Sequence, residues 1–101
     1  MNKNIYNKFI EAEELWWFKI EDVFNSFFAE FEKDYKKMAE LMIVVKDRLD
    51  YWIKKDDEKS FAYLKMRWQI TFWSHNELKN DEFEEFCKLA DNYCIAKVDT
   101  K

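Results

Sequence analysis

The chain contains neither glycine nor proline. Their absence removes the residues that normally supply positive-φ turns and rigid corners, so tight hairpins and glycine-rich phosphate loops are disfavoured. Helices joined by short polar connections suffer least, because Asn, Asp and Ser can cap and turn them. Histidine occurs once, at His75, arginine twice, at Arg48 and Arg67, and cysteine twice, at Cys87 and Cys94. No Cys-x-x-Cys, histidine pair or Glu-x-x-His is present, which leaves no recognisable metal set and no expected cofactor. Ser26, Ser60 and Ser74 lie in expected caps or connections, and none has a base at the spacing of a nucleophile pair. No catalytic residue is therefore expected.

Charge and hydrophobic runs exclude further classes. The net charge is −4, spread over both halves, without an acidic tail or a basic arm. A nucleic-acid binder needs a cationic footprint and a membrane-surface helix a Lys/Arg-rich polar face, and neither is visible. The longest unbroken apolar run, Leu41 to Val45, is far short of the roughly 20 residues that span a bilayer. The stretch Met1-Asn2-Lys3-Asn4-Ile5 leads into Glu11, Glu13 and Glu14 without the apolar core of a secretion signal. With 101 residues, the expectation is a single domain over 1–101. Two cysteines seven positions apart on one helix would lie about 10 Å apart along its axis, beyond the reach of a disulfide. Free thiols and a cytoplasmic location follow as expectations.

What is abundant is aromatic: ten Phe, five Trp and five Tyr, 20% of the chain. Either the core is unusually aromatic or some rings face a partner. The strong preference for lysine over arginine, with plentiful Asn, Ile, Phe and Tyr, is what AT-rich coding gives, as in low-GC bacteria, their phages and mobile elements.

Apolar residues recur every three or four positions from Ile5 through Phe9, Ala12, Trp16, Ile20, Val23, Phe27, Phe31, Tyr35, Met38, Met42, Val45 and Leu49 to Trp52, the period of a helix. One helix of that length would run roughly 70 Å, so the stripe must fold back. Asn25-Ser26 is the preferred break and Lys33-Asp34 the second choice. This predicts helices over about 4–24 and 27–54, followed by a polar connection at 54–59. Ser74-His75-Asn76-Glu77 and Asp81-Glu82-Phe83-Glu84 match capping boxes, and Phe83, Phe86, Cys87, Ala90, Cys94 and Val98 predict a last helix over about 81–97.

Residues 61–73 admit two readings. With period two, Ala62, Leu64, Met66, Trp68, Ile70 and Phe72 share one face of a strand. As a helix the segment is apolar all round, which suits deep burial. Without glycine for the turn, the helix is preferred. The expected fold is an all-α bundle of three to four helices, and the alternative is an α+β fold with a hairpin from about 43–54 and 61–73.

Two groups stand out as partner-binding candidates. On a wheel drawn through residues 5–23, Trp17 lies at the edge of the apolar stripe and Phe18 falls among Glu11, Glu14 and Asp22. A large ring framed by carboxylates is either covered by the last helix or serves as an interface anchor. The second group is Tyr63, Arg67 and Trp73, which share the outer face if 61–73 is a strand and sink into the core if it is a buried helix. The resulting expectation is a small non-enzymatic protein-binding module. Its partner would be another protein, such as a nucleic-acid-handling host enzyme occluded by an acidic, aromatic-studded face, as with phage inhibitors of the anti-CRISPR or anti-restriction type. No direct nucleic-acid or membrane contact is expected. The alternative is an immunity or antitoxin protein, or a helical module that pairs as a homodimer.

Overall fold

Asp34 is where the long apolar stripe turns back. Its carboxylate accepts from the backbone N–H groups of Lys36 at 3.1 Å and Lys37 at 3.5 Å, the N-cap geometry that satisfies the unpaired donors of a helix start. In the computed structural model, residues 3–15 and 17–90 are described, apart from the side chains at 3, 17 and 18. They form five helices: α1 Lys3–Leu15, α2 Trp17–Phe31, α3 Tyr35–Lys54, α4 Lys59–Glu77 and α5 Asn80–Leu89. No strand occurs among the described residues, so the hairpin alternative falls. The all-helical architecture stands, with five helices in place of three to four.

The second-choice break at Lys33-Asp34 is the one the chain uses. Asn25 and Ser26 are instead exposed positions inside α2. That helix stays continuous because its apolar face does: Phe24 packs against Phe28 at 5.5 Å between ring centroids and Phe27 against Phe31 at 5.4 Å, pairs at the i, i+4 spacing. The first division falls instead between α1, which ends at Leu15, and α2, which begins at Trp17.

Without glycine, the α3–α4 corner is closed by Asp56, whose φ of 56° is in the left-handed region. Asp56 N–H donates to the Ile53 carbonyl at 3.0 Å and Asp57 N–H to the Trp52 carbonyl at 3.1 Å, the paired bonds of a Schellman ending. Asp tolerates this conformation better than most L-residues. The Asp57 carboxylate then accepts from Lys59 N–H at 2.8 Å, opening α4.

Ser74 starts no helix. It is buried in the last turns of α4, where its hydroxyl donates to the Thr71 carbonyl at 2.7 Å, a local bond that satisfies a buried hydroxyl without ending the helix. α5 begins at Asn80, with the Glu82 carboxylate accepting from Lys79 N–H at 3.0 Å. It ends at Leu89, well before residue 97. Residues 91–101 lie outside the described residues, Cys94 and Val98 among them. The early end removes the premise that kept the cysteines apart: Cys87, buried in α5, is disulfide-bonded. The expectation of a free thiol at Cys87 is overturned, and the inference of a reducing compartment drawn from it goes too. No helix among the described residues is long and apolar enough to cross a membrane.

α3 is the central helix. It packs against each of the other four and buries Met38, Ala39, Leu41, Met42, Val44, Val45, Arg48 and Leu49. Aromatic rings fill the space around it. Phe9 lies 5.7 Å edge-on from Tyr63 and 6.1 Å from Phe27, and Trp73 meets Phe86 edge-on at 5.6 Å, joining α4 to α5. Tyr35 Oη donates to Glu85 Oε1 at 2.8 Å, fastening α5 to the start of α3.

α4 divides into two faces. Tyr63, Met66, Ile70 and Trp73 are buried, whereas Phe61, Leu64, Trp68 and Phe72 are exposed. Ile70→Ala should therefore cost about 2–5 kcal/mol, as deletion of a buried aliphatic side chain does, while Trp68→Ala should stay within about 0.5 kcal/mol. Urea unfolding of the two variants in dilute solution checks this; equal losses would contradict the two-faced assignment.

Candidate interaction surface

The segment Phe61 to Trp73 interleaves two helical stripes. Tyr63, Met66, Ile70 and Trp73 follow one another by three, four and three residues, and Phe61, Leu64, Trp68 and Phe72 by three, four and four. At 100° per residue the two sets point to opposite sides of the helix. The inner set meets α3 and the core. The outer set has no cover within the described chain: Phe61 is 69% exposed, Leu64 41%, Trp68 63% and Phe72 57%. Trp68 and Phe72 touch each other edge-on, with ring centroids 5.8 Å apart. With roughly 200 Å² per aromatic side chain, the three exposed rings alone leave about 400 Å² of apolar surface in a strip about 16 Å long. A contiguous patch of that size is in the range of the largest apolar patch of a typical monomer, which is often functional.

The electrostatics of this face differ from those of the molecule. From Phe61 to Asn76 the exposed positions beside the stripe are Lys65, Gln69, His75 and Asn76, with no carboxylate among them, although the chain as a whole is acidic. Lys65 Nζ reaches Glu21 Oε2 of α2 at 3.5 Å along one rim. His75 lies beside Phe83 of α5, 4.8 Å between ring centroids.

What fixes the outward direction of this face is polar and lies underneath. Tyr63 Oη donates to Glu13 Oε2 at 2.5 Å. Arg48 grips the same carboxylate with both arms, Nε to Oε2 at 2.9 Å and Nη2 to Oε1 at 2.6 Å, and donates from Nη1 to Tyr6 Oη at 3.3 Å. The two charged side chains are only 7% and 5% exposed. The Arg48 guanidinium also sits over the rings of Tyr51 at 4.4 Å, Tyr6 at 5.5 Å and Trp52 at 5.8 Å, a geometry in which ring faces stabilise a cation. Burial opposes the Arg48 charge, but the hydrogen bonds and attraction of Glu13 outweigh it and hold its pKa above the ordinary value. Burial, then the bond to Glu13, raises Tyr63 well above its usual 10.

An open cleft of about 430 Å³ lies beside this cluster, lined by Tyr6, Ile10, Glu14, Tyr51, Trp52 and Lys59 along with Glu13 and Arg48. Lys59 Nζ stands 4.5 Å from the Trp52 ring centre. Both oxygens of Glu13 already take bonds from protein donors, so the cluster's evident task is to join α1, α3 and α4. Among the described residues, no three or more His, Cys, Asp or Glu side chains gather as metal ligands would.

The sequence-based candidates are scattered. Glu11, Glu14 and Asp22 are exposed, but the first two lie on α1 and the third on α2. The single helical wheel that united them no longer applies. The side chains of Trp17 and Phe18 lie outside the described residues. Tyr63 is fully buried and Trp73 only 7% exposed, because α4 is a helix and turns both into the core; neither is a surface contact. Arg67 is half-buried. Both sequence readings of 61–73 put Leu64, Trp68 and Phe72 in the core, whereas the structure exposes them; the signal that identifies them is the double stripe itself.

Comparison with known proteins returns no matching family model, no matching curated protein and no matching solved structure.

The buried cluster generates a test. Tyr63→Phe keeps the ring and deletes the hydroxyl, and should cost about 1–3 kcal/mol at neutral pH. The raised Tyr63 pKa has a definite sign: its contribution is complete below pH about 10, where a tyrosine of the unfolded chain ionises, and is lost as pH rises past that toward the folded-state value. Parent and variant should therefore converge in stability above pH about 10, measured by urea unfolding across that range. Arg48→Met, which leaves Glu13 buried without its partner, should cost about 3–5 kcal/mol; a neutral result would remove the cluster from its structural role.

Proposed function

We propose that this chain is a protein-binding module and that its binding surface is the outward face of α4. The observation that carries the reading is the uncovered strip of Phe61, Leu64, Trp68 and Phe72. A helix interior to a small domain has no use for three large rings on its solvent side, since leaving them in water forgoes about 25 cal/mol for each Å² of apolar surface not buried. Trp and Phe are enriched at the centres of interfaces, and charge is depleted there. Both features hold for this face. The mode of recognition it suits is helix packing, with anchors at successive turns laid against an apolar surface.

Relative to the sequence-based expectation, the proposal keeps a non-enzymatic binder and moves its surface. The acidic face built around Phe18 requires one continuous helix over 4–24, and the chain has two there. Occlusion of a host protein, in the manner of a phage inhibitor, remains the form of action proposed if the partner is foreign. In that form the contact is apolar and aromatic, without mimicry of phosphate charge.

A photo-crosslinking amino acid placed at Phe72 in cells of the native source should give discrete protein adducts, and the same probe at the exposed Glu40 of α3 should not. Adduct masses identify the partner, including a second copy of this chain. Equal labelling from the two positions, or none from Phe72, would overturn α4 as the binding surface.

A further inference from the structure

We infer that the outer face of α4 is self-complementary and pairs with the same face of a second copy, the two helices running antiparallel about a twofold axis near residue 66. This rests on the reading of that face as a binding surface and names its occupant.

Register points to this pairing. In an antiparallel pair centred on Met66, Leu64 meets Trp68 of the second copy, and Phe61 lies within one residue of the position opposite Phe72, each contact occurring twice. The larger ring lies opposite the smaller aliphatic side chain, as interdigitated packing requires. The outer spacing of three, four and four residues covers eleven residues in three turns, close to the natural period of a helix, so the strip stays aligned without marked supercoiling. A parallel pairing would place Trp68 on Trp68 and Leu64 on Leu64, stacking bulk on bulk and leaving a gap beside it.

Charge agrees with the same arrangement. The twofold sets no carboxylate within the strip, so no acid is desolvated. It places the Lys65–Glu21 pair, at 3.5 Å on one rim, alongside its symmetry copy, where each ammonium keeps its own carboxylate against the facing ammonium. Area agrees as well. Two strips bring together roughly 800 Å² of aromatic surface, the apolar centre of an interface at the small end of specific contacts, about 1,200 Å² in total. Lys65, Gln69 and Asn76 complete the rim.

The test uses the full chain and two exposed substitutions. Sedimentation equilibrium from micromolar to submillimolar concentration should give a species of twice 12.6 kDa. Leu64→Glu and Trp68→Lys should each weaken self-association by about thirtyfold or more, as hot-spot changes do, with unchanged helical circular dichroism. The two variants mixed should regain association, because antiparallel pairing sets the introduced glutamate of one chain against the introduced lysine of the other and leaves the second Leu64–Trp68 contact intact. Association without rescue on mixing would overturn the antiparallel register. A monomer at every concentration would overturn the second copy as occupant; foreign adducts from the Phe72 probe would then still uphold the binding surface, and their absence would remove both.

Discussion

A helix with apolar side chains on every side can be packed by any face, and the bond from Tyr63 to Glu13 is what decides the matter for α4. Only one rotation of α4 about its axis delivers that hydroxyl to the carboxylate, and the carboxylate is itself held by the two arms of Arg48 on α3. Three helices are thereby registered at one point. Buried ion pairs contribute little net stability because desolvation offsets their attraction; what this one contributes is an orientation. Met66, Ile70 and Trp73 follow Tyr63 inward, and Phe61, Leu64, Trp68 and Phe72 have no choice but to face out.

The excess of aromatic residues is thus divided between two uses. Phe9, Phe24, Phe31, Tyr63, Trp73 and Phe86 are core, arranged largely edge-on or tilted around α3, as ring quadrupoles favour. Phe61, Trp68 and Phe72 are surface. Composition alone does not divide the rings between core and surface, whereas in the molecule both are populated, and α4 carries members of each on opposite sides.

Periodicity in the sequence locates the core well. Ile5, Phe9, Ala12, Ile20, Phe31, Met38, Met42, Val45 and Leu49 are all on the predicted stripe and all buried. It is less informative about where the chain folds back, because two successive helices facing one core continue the same three-and-four spacing across the break between them. A good cap therefore locates the Asp34 turn, while Ser26, equally good as a cap by type, sits unused inside a helix kept continuous by Phe24, Phe27, Phe28 and Phe31. In α4 periodicity misleads differently: apolar residues all round signify deep burial only when every face has something to bury against. In α5 the stripe runs on past the last helical residue, so the spacing keeps Cys87 from a disulfide that the shorter helix permits.

The lack of glycine limits how this surface can vary. Exposed positions ordinarily accept almost any side chain. Asp56, at the α3–α4 corner, is exposed yet sits at a φ of 56°, where β-branched residues are strongly disfavoured and only Gly, Asn and Asp are at ease. That corner should accept substitution only within a three-letter alphabet, and a glycine there would be a gain in backbone ease. The corner also sets the angle at which α4 leaves α3. The narrowest tolerance on the surface therefore lies at the residue that aims the exposed aromatic face of α4.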